Sequence, residues 1–410
     1  MRKKIILCFL CFSLAGFLCA QEDVWDIDSI FDEANEEMPE TDDNALLNEL
    51  RNKIVLEAAY NFVGGFSPGW NESPWYKGDK EYDYILGAKI DAHLSLDLPI
   101  SKSLRVHTAF YFSLPDDPVF SIKEFYFDYS FRDIVFVKGG LYEINWGISR
   151  FYPFTNLPAL VPANRDNWGD SYIIKMSVPR GIGGFDFIMM TRGGFMDNKT
   201  APLLEEFAYG MKYNLALEFL DLDAGILYYR DLPIRLFVSL KTTLWGIELY
   251  SEGLAAFSFD SGFSFRASGN IGFLRDFFKN KLTLYAELYY NGESNVAWWR
   301  PKTELLEESQ VDLYEGFNAA LAFIVRPGVL GMRIFGQALY TYKEQSVWLV
   351  PGVSIKPGNI TVSLSVPMAL GKRTDTGDRT NYYRNNTDQR NRPFSVLLGI
   401  GYSGKKKYTF

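Results

Sequence analysis

The stretch YDYILGAKIDAHLSLDL, residues 82 to 98, alternates without a slip. Every even position from Tyr82 to Leu98 is apolar or aromatic, while Asp83, Lys89, Asp91, His93, Ser95 and Asp97 occupy odd positions. Such a period of two belongs to a β-strand with one apolar and one polar face. At about 3.3 Å per residue and a tilt near 45°, the stretch climbs roughly 40 Å, more than an apolar band of about 25 Å requires.

The pattern recurs along the chain. Period-two segments separated by turn chemistry predict strands near 53–65, 81–98, 103–114, 122–131, 134–142, 171–178, 182–191, 205–216, 222–230, 234–244, 246–257, 262–273, 281–291, 311–326, 329–342, 346–356, 359–367 and 393–403. The connections sort by parity. Long ones, such as SPGWNESPWYKGDK, Glu143 to Asp170 and Met368 to Pro393, follow odd strands, whereas PISK, FRD, PRGI, RPG and KPG follow even strands. Short turns on one side and long loops on the other is the asymmetry of outer-membrane barrels, and a soluble sandwich has no reason for it. The expected fold is therefore all-β, a transmembrane antiparallel up-and-down barrel of about eighteen strands, or sixteen if one hairpin between 230 and 275 is absent. Tyr82, Tyr84, Phe110, Phe112, Tyr290, Tyr340 and Tyr342 fall where the outer interface belongs, as an aromatic belt requires.

The first 20 residues place Arg2, Lys3 and Lys4 ahead of an apolar run from Ile5 to Leu18 and close on Ala20, the build of a cleaved secretory signal. Cys8, Cys11 and Cys19 are the three cysteines, so cleavage after Ala20 removes every thiol, and with it disulfides and thiolate metal sites. The competing reading keeps Cys19 as an acylated lipoprotein cysteine, although Leu18 stands where a small residue is expected. Residues 21–50 carry twelve carboxylates and no base, which suggests a solvated, disordered periplasmic tether; a partner-docking peptide and a plug entering a lumen are the other readings. Residues 51–410 would form the barrel. Acids and bases nearly cancel there, leaving no basic footprint for nucleic acid. No run of 18 apolar residues follows residue 20, so helical spans are excluded.

The polar face carries both signs of charge: Lys89, Asp91, Arg105, Glu124, Asp128, Lys138, Lys175, Asp186, Lys212, Asp223, Lys241, Arg266, Glu287 and Arg333. Lys or Arg facing lipid near the midplane would cost about 2–4 kcal/mol, so these residues are expected inside. They either line a water-filled pore that passes small hydrophilic solutes or form a network bracing the wall. Eighteen strands enclose a lumen too wide for side chains alone to fill, which favours the pore. The two histidines, His93 and His107, should also face inward. A hairpin whose paired residue numbers sum to 200–202 puts them opposite each other or one pair apart. Two histidines make a poor metal site, and ordinary polar lining is the simpler reading. Ser95 and Asp91 share the face of His93, but same-face neighbours on one strand stand about 7 Å apart, too far for direct proton transfer. No nucleophile elbow, zinc-protease helix or phosphate loop occurs, so neither an enzyme nor a cofactor is expected.

The segment VKGGLYEINWGISRFYPFTNLPALVP, Val137 to Pro162, resembles a pattern of porin-like Gram-negative outer-membrane barrel families. A strand glycine (Gly139 or Gly140) precedes Trp146-Gly147, then a loop with Phe154, Asn156 and Leu157. The resemblance implies an inward-folded loop that narrows the pore, with Trp146, Arg150, Phe154 and Asn156 as constriction candidates. The alternative is an outer loop anchored by Trp146 and Phe154. The chain ends with Tyr408 and Phe410, which resembles the signal read by barrel-assembly machinery, with Gly404 one place from the usual spacing. Outer-membrane lipid, periplasmic chaperones, that machinery and small hydrophilic solutes are the implied partners, and an oligomer is open. A surface adhesin or an apolar-cargo transporter would use the same fold.

Overall fold

The computed structural model describes residues 53–70, 82–115, 119–151, 157–160, 171–192, 204, 207–230, 233–258, 263–292, 316–342, 345–371 and 394–410. The proposed signal peptide, the acidic segment, Phe154 and Asn156 lie outside them. Eighteen antiparallel strands form one closed barrel. They are β1 (Val55–Trp70), β2 (Tyr82–Pro99), β3 (Leu104–Leu114), β4 (Phe120–Phe131), β5 (Val135–Leu141), β6 (Ser171–Arg180), β7 (Gly183–Arg192), β8 (Ala208–Leu217), β9 (Leu220–Tyr228), β10 (Ile234–Leu244), β11 (Ile247–Ser258), β12 (Ser264–Phe277), β13 (Leu282–Asn291), β14 (Gly316–Val325), β15 (Arg333–Thr341), β16 (Ser346–Ile355), β17 (Ile360–Ser365 with Met368–Gly371) and β18 (Phe394–Ser395 with Leu397–Thr409). Each pairs with its sequence neighbour, and β18 closes on β1 from Val55↔Thr409 to Phe66↔Leu398. Among the described strands, closure leaves none at the edge of an open sheet.

Three of the boundaries that differ from the sequence expectation have a visible cause. β1 continues through Ser67–Trp70, where the ring of Trp70 meets Tyr82 at 5.5 Å and Phe394 at 5.1 Å. β15 starts at Arg333, because Leu330 and Gly331 take positive φ in the preceding turn. β18 runs past Gly404 to Thr409, because β1 offers it partners down to Val55.

Alternation sets the two faces. In β10, Leu236, Val238 and Leu240 face outward and are exposed, while Arg235, Phe237 and Ser239 face inward and are buried. Outward charges in the described strands include Arg180, Arg275 and Lys406, each close to a strand end. Exposed aromatics mark both rims: Tyr82, Tyr84, Tyr290 and Tyr342 on the long-loop side, and Phe219, Trp245 and Phe278 in the short turns. Six rings lie across the paired glycine of the next strand: Tyr60 on Gly404, Phe127 on Gly139, Phe237 on Gly225, Tyr250 on Gly272, Phe323 on Gly336 and Phe335 on Gly352. A Cβ on any of these glycines would come within 2.7 Å of the ring.

Candidate functional site: an inward loop and a charged inner wall

After β5 the chain turns into the barrel. Gly140 makes the exit possible: its φ is +140°, and a Cβ there would lie 2.2 Å from the carbonyl oxygen of Phe125. Tyr142 then packs edge-on against Tyr126 at 5.5 Å, with the Lys138 ammonium 4.5 Å from its ring centre. Trp146 is 2% exposed and seats against Phe237 of β10 at 5.7 Å. Gly210 of β8 clears its place, since a Cβ there would come 2.7 Å from the indole. Ile148 to Phe151 reach β11 and β13, so the segment bridges the inner wall from β5 to β13. Beneath it, Ile173, Ile188, Met190, Leu227 and Leu254 form a buried apolar cluster on the inward faces of β6 to β11.

Two buried carboxylates clasp this loop. Glu252 of β11 is 2% exposed, and its Oε1 accepts the backbone N–H of Ile148 at 2.6 Å and of Ser149 at 3.3 Å. Glu287 of β13 is 1% exposed and accepts the Ser149 hydroxyl at 2.7 Å and the Phe151 N–H at 3.5 Å. The Tyr250 and Tyr285 hydroxyls each donate to Glu287 at 2.5 Å, and they also touch each other. Asn270 ties the two acids together, its Nδ2 lying 3.2 Å from Glu252 and 3.1 Å from Glu287. The network is saturated, as buried charge requires. Phe151 packs tilted against Tyr285 at 4.8 Å, and Arg150 stands 3.9 Å from Glu248, which also holds Lys241 at 3.1 Å.

Several of the remaining inward charges pair across adjacent strands. Lys175 meets Asp186 at 3.0 Å, and Lys212 meets Asp223 at 3.1 Å. Arg105 lies opposite Asp128, which lies opposite Lys138, whose ammonium sits 3.6 Å from the Tyr126 ring centre. Asp91 accepts the hydroxyls of Tyr111 at 2.6 Å and Ser113 at 2.8 Å and stands 3.7 Å from Lys89. These groups are inward by register yet half-buried, so they face an accessible interior. Arg333 is half-buried opposite Ser354, and Arg266 is exposed opposite Ala256.

Three expectations are corrected. His93 and His107 are not neighbours: the β2–β3 register sums to 204, so His93 faces Tyr111 and His107 faces Asp97. The cause is the turn, which is centred on Lys102, further along the chain than the expected centre near 100–101, with Leu104 O accepting both Ile100 N and Ser101 N. His107 instead contacts Asp97 at 2.8 Å and Glu124 at 3.1 Å and stacks on Tyr126 at 4.8 Å. Glu287, expected along the open lining, lies beneath the loop, where its carboxylate is a fastening. Trp146, expected at a constriction, is likewise an anchor packed against the wall. Among the described residues no group of three or more potential metal ligands occurs.

No family model and no curated protein matches the chain. Solved structures do. Pseudomonas aeruginosa OpdO superposes with a TM-score of 0.51 at 12% identity, over 87% of this chain and 98% of that one. A BenF-like porin from Pseudomonas fluorescens Pf-5 gives 0.49 at 9% identity, over 86% and 99%. A mutant of the Rh. blastica porin gives 0.44 at 10% identity, over 85% and 100%. At such identities the likeness to OpdO is one of fold.

Proposed function

We propose that the chain is a porin-like outer-membrane channel for the diffusion of small hydrophilic solutes. The observation that carries this reading is the division of the inner wall. From β6 to β11 the apolar residues are sealed under the loop, while the accessible inward groups are paired charges and hydroxyls: Lys89 with Asp91, His107 with Glu124, Lys175 with Asp186, Lys212 with Asp223. Opposite charges fixed on a wet wall set up a transverse field that orients polar solutes and excludes greasy ones. An apolar cargo would need Ile173, Met190 and Leu227 accessible, and each is buried.

The outer face supports a bilayer location. Exposed apolar side chains such as Ile271, Leu288, Phe317 and Ile400 circle the barrel, a surface that water would not tolerate but lipid covers. Tyr408 and Phe410, stacked at 6.5 Å on the closing strand, agree with recognition by the barrel-assembly machinery. Planar-bilayer recording of the refolded chain from residue 21 tests the channel. Stable conductance steps that grow with electrolyte concentration are expected. A membrane that stays silent with folded protein inserted would sink the channel and leave a surface-binding barrel.

A further inference from the structure

We infer that the acidic segment, residues 21–50, docks inside the short-turn mouth of its own barrel, against a basic arc formed by β13 to β18. From Leu282 to Phe410 the described residues include one carboxylate, Glu287, which is buried and engaged with the loop. Their basic residues all cluster at the short-turn end: Arg326 closing β14, Arg333 opening β15, Lys356 after β16, and the Lys405–Lys407 run near the end of β18. Lys279 and Lys281, in the β12–β13 turn, extend the arc. The rest of that rim is mixed in sign, with Arg132 beside Asp133, and Glu218 close to Asp221.

The register distinguishes this arc from a site for surrounding lipid headgroups. Lys281, Arg326, Arg333, Lys356, Lys405 and Lys407 all continue the inward-facing series of their strands, so they lie on the inner side of the mouth. Arg326 illustrates this, with Nη1 2.7 Å from the hydroxyl of Thr283, an inward and buried residue. Lys405 already holds one carboxylate, Glu57 at 2.7 Å, while 66% of its side chain remains exposed.

The occupant follows from charge and connectivity. Residues 21–50 carry twelve carboxylates and no base. They enter the barrel beside the arc, where Ile54 and Phe410 exchange backbone hydrogen bonds of 3.1 and 2.9 Å. A flexible chain of that length has a root-mean-square reach of about 30 Å. The arc spans some five strand spacings of about 4.8 Å each. Tethering of this kind gives an effective concentration on the order of millimolar, enough for weak polyanion contacts to be occupied. The inference does not depend on whether the barrel conducts.

Cross-linking in the full mature chain tests it. With the native cysteines removed along with residues 1–20, Ala34→Cys is paired either with Asn359→Cys, in the arc at the β16–β17 turn, or with Ser103→Cys, in the β2–β3 turn, which lies one strand nearer to β1. After folding in zwitterionic vesicles, a short bismaleimide should join residue 34 to 359 several-fold more than to 103. That preference should vanish when salt shortens the screening length to about 3 Å. It should also vanish when Lys281, Lys405 and Lys407 become Gln. Equal yields at both sites, a preference that survives salt and charge removal, or one erased by anionic lipid in the vesicles would each overturn the inference.

Discussion

Replacing Glu287 by Gln should release the loop without unfolding the barrel. The carboxylate receives two bonds from the loop, at 2.7 Å from Ser149 and 3.5 Å from Phe151, and three from the wall residues Tyr250, Tyr285 and Asn270. A charged acceptor contributes about 1.5–3 kcal/mol per hydrogen bond and a neutral one about 0.5–1.5, so the loop bonds weaken by roughly 1 kcal/mol each. Every donor around the site points at an oxygen, so the amide NH2 must also face a donor, adding about 1–3 kcal/mol. Loop docking then loses roughly 3–5 kcal/mol, or about a hundred-fold to a few thousand-fold in the undocked population at 1.4 kcal/mol per decade. The wall itself keeps its ladder bonds. A cysteine at Ile148, in the chain from residue 21, which has no other thiol, reports the change: its maleimide labelling rate in the folded protein should rise by that factor in Glu287→Gln and stay put in Asp223→Asn, a charge loss away from the loop. A rate within about twofold of the parent, in protein that retains its strand spectrum, would refute a clasp that controls local opening.

Gly140→Ala should lower the urea midpoint by the equivalent of about 1–3 kcal/mol or prevent folding, whereas Gly246→Ala, in an open turn, should cost only about 1 kcal/mol. Ile271→Arg, on the outward face and 59% exposed, should destabilise the barrel in bilayers by about 2–4 kcal/mol, while the inward Asn61→Arg should be tolerated; equal effects in a vesicle unfolding titration would contradict the assigned faces. Neutralising Lys175 and Lys212 together leaves Asp186 and Asp223 without their cations, and the reversal potential under a salt gradient should shift toward cation preference.

The barrel was legible because its two signals are repeated: alternation in every strand, and connection length that follows parity. The direction of the charged face was legible for the same reason, as Lys175, Asp186, Lys212 and Asp223 show. What alternation does not encode is what covers an inward residue. Glu252, Asn270 and Tyr285 occupy inward positions like any lining residue, and only three-dimensional contact reveals the loop upon them. A clue did exist. β14, GFNAALAFIV, is apolar on both faces, and β11 and β13 carry Tyr250, Leu254, Tyr285 and Tyr289 inward, which implies that something other than water meets that wall. The histidine pairing failed for a narrower reason. Turn centre fixes register, and the pair-number sum of a hairpin moves by two for each residue that the turn advances.

The rings laid across glycines bear on the girth of the barrel. A strand that slips two residues keeps its faces but carries Tyr60, Phe127 or Phe323 off its glycine and onto a neighbour with a Cβ, so each ring acts as a tooth that admits a single register. Around a closed sheet the registers add up to the shear, and shear together with strand number determines the radius. In this chain the calibre of the tube is therefore held by aromatic teeth spread around its circumference, three of which, Tyr60, Phe127 and Phe323, stand on the outward face, away from the lumen.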